Sequence, residues 1–353
     1  MPINEILITQ EVLNNTLKRE VFPEIKTFSQ PKTGKVRTVY DVSSYQLIMI
    51  ASDNLSTHDR VHKRQVYGKG ENLNAISSYY FEKTKHIIPN HFIESLAPNT
   101  WLVQKAEPIL VEMVFRKYIT GSAWDSYVKN NGTKQGMVFC GVKLEPGYVK
   151  NGRLEKVIFT PTAKGQVKDF EISEFLGLNP EKDDPQITQG IIWKNYKLFG
   201  LRKSKDLDIL IEAGFGLYDF IHSDLESKEH LLADTKWEFG YLPDGTIALI
   251  DECVTPDSSR FWSSKNYRFN SERNEFTIVQ EDKQPFRDYI ESLGLDKSKD
   301  RIPEHWMDDQ VLREGVIRYC NMRESITGMQ TEITKQPRKE VILESLAREG
   351  YLI

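Results

Sequence analysis

Apolar and polar residues recur along this chain in patterns regular enough to predict its main elements. Residues 34–42 and 45–51 are β-rich runs flanking a short polar link, Ser43-Ser44, and predict a hairpin. Within it Lys35 and Arg37, two apart, are expected on one face, with Val36 and Tyr40 on the other. Behind Gly68-Lys69-Gly70, the positions Leu73, Ile76, Tyr80, Phe81 and Thr84 follow three-to-four spacing and predict a helix. Residues 109–115 read as a buried strand linking two lobes, with Thr120-Gly121-Ser122 after it. Residues 209–225 are apolar enough for a buried helix, although Gly214 and Gly216 weaken its start. Residues 231–254 read as a second hairpin turned at Pro243-Asp244-Gly245, and residues 310–322 as a helix. The C-terminal stretch is an amphipathic appendage whose apolar members are Val341, Ile342, Leu346 and Leu352; that face could pack on its own lobe or meet a sister subunit.

Charge narrows the function classes. Across 353 residues, 47 Lys plus Arg face 51 Asp plus Glu, a net charge of −4. A nucleic-acid reader usually carries a basic face, so a polyanionic partner is not expected. With 39% hydrophobic residues and little net charge, the chain is not of the disordered type, and its length suits about two lobes. Cys140, Cys253 and Cys320 stand too far apart for a disulfide framework or a structural zinc site. No secretory signal is visible at the N-terminus, and no run approaches the ~20 apolar residues of a membrane helix. A soluble, cytoplasmic protein is expected.

The second hairpin carries the most chemistry. Asp234, Lys236 and Glu238 alternate with Trp237 and Phe239, so a strand would put the three charges on one face and the two aromatics on the other. A two-residue Asp244-Gly245 turn would set Glu238 directly opposite Asp251. Facing carboxylates repel, and magnesium, which joins one or two carboxylates to phosphates, would relieve them. The competing possibility is a solvated edge hairpin whose charges keep it soluble. Downstream, Thr255-Pro256-Asp257-Ser258-Ser259-Arg260 offers hydroxyls and a guanidinium suited to a phosphate, or a simple Pro-initiated turn. Arg116 before Thr120-Gly121-Ser122 is a similar candidate, or an ion pair at the lobe junction. Lys35 and Arg37 beside Gly34, and Lys69 between two glycines, could approach phosphates, but neither stretch is a Walker A loop and ordinary turns also explain them. His58 and Asp59 lie in a polar loop where a lone histidine is more often structural.

Taken in order, these segments resemble the phosphoribosylaminoimidazole-succinocarboxamide synthase (SAICAR synthetase) family. The resemblance rests on Gly34-Lys35-Val36-Arg37, Ala51-Ser52-Asp53 through Ser56 and Asp59, Gly68-Lys69-Gly70, and Glu112 through Arg116 to Ser122. It continues through Phe159-Thr160-Pro161-Thr162, residues 233–240, Ile250-Asp251-Glu252 through Trp262, and Asp282-Lys283-Gln284 with Arg287-Asp288. The resemblance implies an α+β, two-lobed fold. Residues 1–112 would form a small nucleotide-covering lobe akin to a kinase N-lobe, 113–328 the substrate and magnesium lobe, and 329–353 a helical appendage. It implies an ATP-dependent ligase of purine biosynthesis joining 5-amino-4-carboxyimidazole ribonucleotide (CAIR) to L-aspartate. Glu238 and Asp251 would bind Mg2+, and Lys35, Arg37, Lys105, Glu112 and Lys236 would contact ATP. Arg116, Ser122, Ser258, Arg260, Lys283 and Arg287 would hold the ribonucleotide, and Lys236 and Asp234 would serve catalysis. A homo-oligomer is compatible with all of this.

The chain departs from the family pattern at Thr38, where an acid is common, at Asn54, where an Arg is usual, and at Leu110, where Pro is frequent. These leave the residues that recognise L-aspartate open. Three other readings remain: a related ligase using another amine, a kinase that stops after phosphoryl transfer, and a non-catalytic nucleotide-binding protein.

Overall fold

The computed structural model describes residues 8–57, 60–164, 185–281, 286, 289, 292 and 307–353. His58, Asp59, Lys283 and Arg287 lie outside them.

The N-terminal half opens with a short helix, α1 (Gln10–Asn14), and then builds a sheet. Its strands are β1 (Lys32–Thr33), β2 (Arg37–Asp41) and β3 (Gln46–Ala51). After a small hairpin, β4 (Asn54–Thr57) and β5 (Arg60–Gln65), comes α2 (Lys69–Thr84), followed by β6 (Phe92–Ala97) and β7 (Thr100–Gln104). The order β1-β2-β3-β7-β6 is antiparallel throughout. The β2–β3 hairpin matches the sequence pattern, but Lys35 does not share a strand with Arg37. The Gly34 N–H donates to the Arg37 carbonyl at 2.8 Å, so Lys35 and Val36 form a turn between β1 and β2. Local turn closure has replaced the strand alternation expected there.

A linking strip holding β8 (Glu107–Pro108) leads into the central sheet. Here β9 (Val111–Tyr118) is followed by the helices α3 (Gly121–Lys129) and α4 (Gly132–Gln135) and the hairpin β10 (Met137–Phe139)–β11 (Val142–Leu144). Next come β12 (Arg153–Phe159), β13 (Thr162–Ala163) and helices α5 (Gln189–Lys194) and α6 (Asp206–Glu226). The long β14 (His230–Tyr241), β15 (Ile247–Ile250) and β16 (Ser259–Ser263) precede a last small hairpin, β17 (Arg268–Asn270)–β18 (Glu275–Thr277), and the helices α7 (Asp309–Thr327) and α8 (Arg338–Arg348). The seven-stranded sheet runs β12-β9-β14-β15, with β13 on β9 and both β8 and β16 on β14. Leu110, where a proline would have no N–H, donates to the Phe199 carbonyl at 2.8 Å.

Side-chain alternation explains how β14 divides the molecule. Trp237 and Phe239 are fully buried beneath α6, in a core with Phe115, Leu210, Leu217 and Leu249. Gly214 does not weaken α6, which runs unbroken; a Cβ there would lie 2.1 Å from the Phe115 ring, so the glycine lets helix and sheet approach. The apolar side of α8 is spent on its own chain. Ile342 and Leu346 are wholly buried with Ile25, Tyr40, Ile48 and Leu102 against the N-terminal sheet. Among the described residues no helix is long and apolar enough to cross a membrane.

Candidate active site

The polar face of β14 carries Asp234, Lys236 and Glu238 in line, because strand side chains alternate. Asp234 pairs in register with Arg116 on β9 and with Arg260 on β16, so three adjacent strands place a carboxylate between two guanidiniums. Both arginines use NH1 to bond the same Asp234 oxygen. Arg116, 6% exposed, also donates Nε to Thr160 Oγ1 at 2.9 Å and NH2 to Ser122 Oγ at 3.4 Å. Burial pulls its pKa down, and the Asp234 charge opposes that fall. Arg260 lies over the first residue of α3. Gly121 has a φ of +52°, a backbone that favours glycine, and a Cβ there would stand 2.5 Å from Arg260 NH2, the movable end of that side chain. Two guanidiniums, a serine hydroxyl and a helix N-terminus thus converge, which is a cradle for an oxyanion such as phosphate. Thr255 Oγ1 accepts the N–H groups of Asp257 (3.2 Å) and Ser258 (3.3 Å), fixing the turn that delivers Ser258 and Arg260.

Two residues along β14, Lys236 Nζ reaches Glu112 on β9, whose other oxygen accepts from Thr162 Oγ1 at 3.0 Å. Beyond it stands Glu238. The expected two-residue turn is corrected by the structure. Leu242 donates to the Thr246 carbonyl at 2.8 Å, Gly245 adopts a φ of +88°, and the loop holds three residues, Pro243-Asp244-Gly245. The register therefore shifts by one, and Glu238 faces Ile250 rather than Asp251. Asp251 instead follows the strand end in a left-handed conformation, φ +63°, and its charge still bears on Glu238. Burial first, and then Asp251, push the Glu238 carboxyl up to about 7 against the opposing charge of Lys164. Burial would raise Asp251 as well, but Arg37, Lys164 and His91 outweigh it and hold that carboxyl below its ordinary value.

Arg37 comes from the N-terminal sheet and forks across these acids, NH1 to Asp251 at 2.5 Å and NH2 to Glu252 at 2.7 Å. Lys164 pairs with Glu238. Neither Lys164 nor Glu252 was singled out by sequence pattern, since both lie just past strand ends where no periodicity marks them. Among the described residues no group of three His, Cys, Asp or Glu side chains is placed to hold a metal. A pair of carboxylate donors nevertheless suits magnesium, which takes oxygen ligands and keeps water and phosphate oxygens for its other positions.

Arg116, Ser122, Asp234, Ser258 and Arg260 are thus brought to one end of the strip, Lys236 and Glu112 to its middle, and Glu238, Asp251 and Arg37 to the other end. Lys35 stands on the exposed β1–β2 turn. Lys105 is not brought into the cluster; it pairs with Asp41 at 2.7 Å, at the end of β2 away from Arg37.

A family model described as SAICAR synthetase matches residues 30–302. The chain is 33% identical over 372 residues to the phosphoribosylaminoimidazole-succinocarboxamide synthase of Saccharophagus degradans, covering 93% of this chain and 96% of that protein. It is equally similar to the protein of the same name from Vibrio campbellii, again 33% over 372 residues, with the same coverage. Among solved structures, SAICAR synthase from Saccharomyces cerevisiae complexed with SAICAR superposes with a TM-score of 0.69 at 26% identity, over 89% of this chain and 99% of that one.

Proposed function

The chain belongs to the SAICAR synthetase family, and from that premise we propose that it is the ATP-dependent ligase joining CAIR to L-aspartate, with SAICAR, ADP and phosphate as products. The observation that carries this reading is the single strip on β14. Asp234, within the phosphate cradle, and Glu238, within the acidic pair, are four residues apart on one face, about 13 Å along a strand. One small phosphorylated substrate can therefore sit with its anion in the cradle and its reacting end toward the nucleotide.

The chemistry follows from what each group needs. A carboxylate is a poor acyl donor, so ATP transfers its γ-phosphoryl group to a CAIR carboxylate oxygen, releasing ADP. The aspartate amine then attacks the acyl carbon, and phosphate leaves with that oxygen. Such transfers depend on positioning and charge neutralisation more than on a protein nucleophile. Arg116, Ser122, Ser258 and Arg260 hold the ribonucleotide phosphate, with Asp234 aligning the two guanidiniums. Lys236 meets the ATP phosphates, with Arg37 and Lys35 closing from the N-terminal lobe and Glu112 orienting Lys236. Glu238 and Asp251 would hold magnesium, which when bound would neutralise charge on the transferring phosphate. In the same reading residues 1–112 are the covering lobe and 113–328 the substrate lobe. Three free cysteines fit a reducing, cytoplasmic setting.

The discriminating experiment offers ATP, magnesium and CAIR together with L-aspartate or other amino acids, and follows product mass. The succinyl-bearing amide is expected with aspartate alone. ADP release with no amide would favour a kinase, and equal use of other amines a broader ligase.

The acidic pair also predicts a pH dependence. Because the folded protein raises Glu238 to about 7 from an ordinary 4.5, it binds that proton more tightly than the unfolded chain. The resulting stability is present below about pH 4.5 and is lost as pH rises through 7. Magnesium needs the ionised form, so its apparent affinity should climb about tenfold per pH unit up to 7 and then level off. Titrations of metal binding and of melting temperature against pH check this: Glu238→Gln should flatten the first and remove from the second the loss of stability between about pH 4.5 and 7.

A further inference from the structure

The C-terminal helix does more than cover the N-terminal sheet, because its first residue points elsewhere. Arg338 is 6% exposed, and its NH1 and NH2 donate to Glu71 Oε2 at 2.9 and 2.7 Å. Its Nε lies 3.6 Å from Asp53 Oδ2, and its guanidinium stands 4.6 Å from the Tyr67 ring centre. Both carboxylates belong to the junction at the start of α2. Asp53 Oδ1 accepts the Gly70 N–H at 3.0 Å, and Glu71, in the first turn, is also held by Arg323 of α7 at 2.7 Å. In that same turn the wholly buried Lys69 bonds Asp257 Oδ2 at 2.6 Å, while Tyr319 of α7 donates to the other Asp257 oxygen at 3.1 Å. Asp257 sits in the turn that delivers Ser258 and Arg260. Three cations, Arg338, Arg323 and Lys69, therefore face three carboxylates, Asp53, Glu71 and Asp257, around one helical turn.

We propose that Arg338 is a positioning residue for ribonucleotide binding. By clamping Glu71 and Asp53 it fixes the first turn of α2, and through the Lys69–Asp257 pair it fixes the turn that aims Ser258 and Arg260 at the phosphate. This rests on the ribonucleotide role given above to Arg260. The clamp uses the planar fork of the guanidinium, which lysine cannot reproduce. Without it, Glu71 keeps Arg323 and Asp53 keeps the N–H groups of Leu17 and Gly70, but the one cation common to both acids is gone and the buried like charges move apart. The apolar side of α8, with Ile342 and Leu346, packs on a different surface and does not depend on the clamp.

The test compares full-length Arg338→Ala and Arg338→Lys with wild type, measuring kcat, the KM of each substrate and equilibrium binding of CAIR. Arg338→Ala should raise the KM and Kd for CAIR about tenfold while leaving kcat and the KM for ATP within about twofold, with Arg338→Lys in between. Added methylguanidine should restore CAIR binding in Arg338→Ala and leave wild type unchanged. Unchanged CAIR binding in a folded variant, or an equal rise in the KM for ATP, would overturn the proposal. Should the alanine variant fail to fold, the lysine variant decides by the same split. A wild type that binds no CAIR would overturn the reading on which the proposal rests, and that outcome is distinct from a wild type and variant that bind it equally.

Discussion

Glu238→Gln and Asp251→Asn are each expected to lower turnover by about 10²–10³-fold or more at saturating magnesium. The amides keep the size of the side chains and remove the charge that a dication needs. The 16%-exposed side chain of Glu238 sits where burial and Asp251 disfavour ionisation, so its charged form depends on a cation beside it. Its positive neighbours, Lys164 and Lys236, cannot bridge to phosphate oxygens as a dication can. Asp251 is set apart by its left-handed backbone and its bond to Arg37, so its amide should also loosen the contact between the two lobes. Steady-state kinetics across a magnesium titration checks both variants. Near-normal turnover in either one would remove the metal assignment.

The second large effect is on Asp234→Asn. Arg116 and Asp234 have side chains only 8% and 7% exposed, and Arg260 shares the same carboxylate oxygen. Taking away the shared anion leaves two guanidiniums close together in a poorly solvated place. Breaking a buried pair from one side costs about 3–5 kcal/mol, which for a chain of this length is a fall of roughly 4–7 °C in melting temperature. CAIR binding should weaken in parallel, because the cradle would open through repulsion of its own arginines. Calorimetry and CAIR titration on the same sample measure both, and a variant as stable and as tight-binding as wild type would contradict the shared-carboxylate arrangement.

Much of this site was legible in the sequence, because strand alternation is a strict geometric rule. Asp234, Lys236 and Glu238 on one face, with Trp237 and Phe239 on the other, follow from the pleat once β14 is recognised. The helix α2 is equally plain from Leu73, Ile76, Tyr80 and Phe81. The register of the β14–β15 hairpin was not legible. Asp244-Gly245 suits a two-residue turn as well as it suits the end of a three-residue one, and the choice displaces Asp251 by one position. Lys164, Glu252 and Arg338 escaped because their partners, Glu238, Arg37 and Glu71, are distant in sequence and no local pattern encodes such pairings. Lys105 shows the reverse case, in which a charged residue near the expected cleft is instead paired with Asp41.

The central claim is that one site activates a carboxylate with ATP and passes it to aspartate. CAIR labelled with oxygen-18 in its carboxylate, turned over with ATP, magnesium and L-aspartate, tests it in a single mass-spectrometric run. The account predicts the succinocarboxamide with one labelled oxygen retained and the other in the inorganic phosphate. Unlabelled phosphate, or phosphate released with no succinocarboxamide, would contradict it.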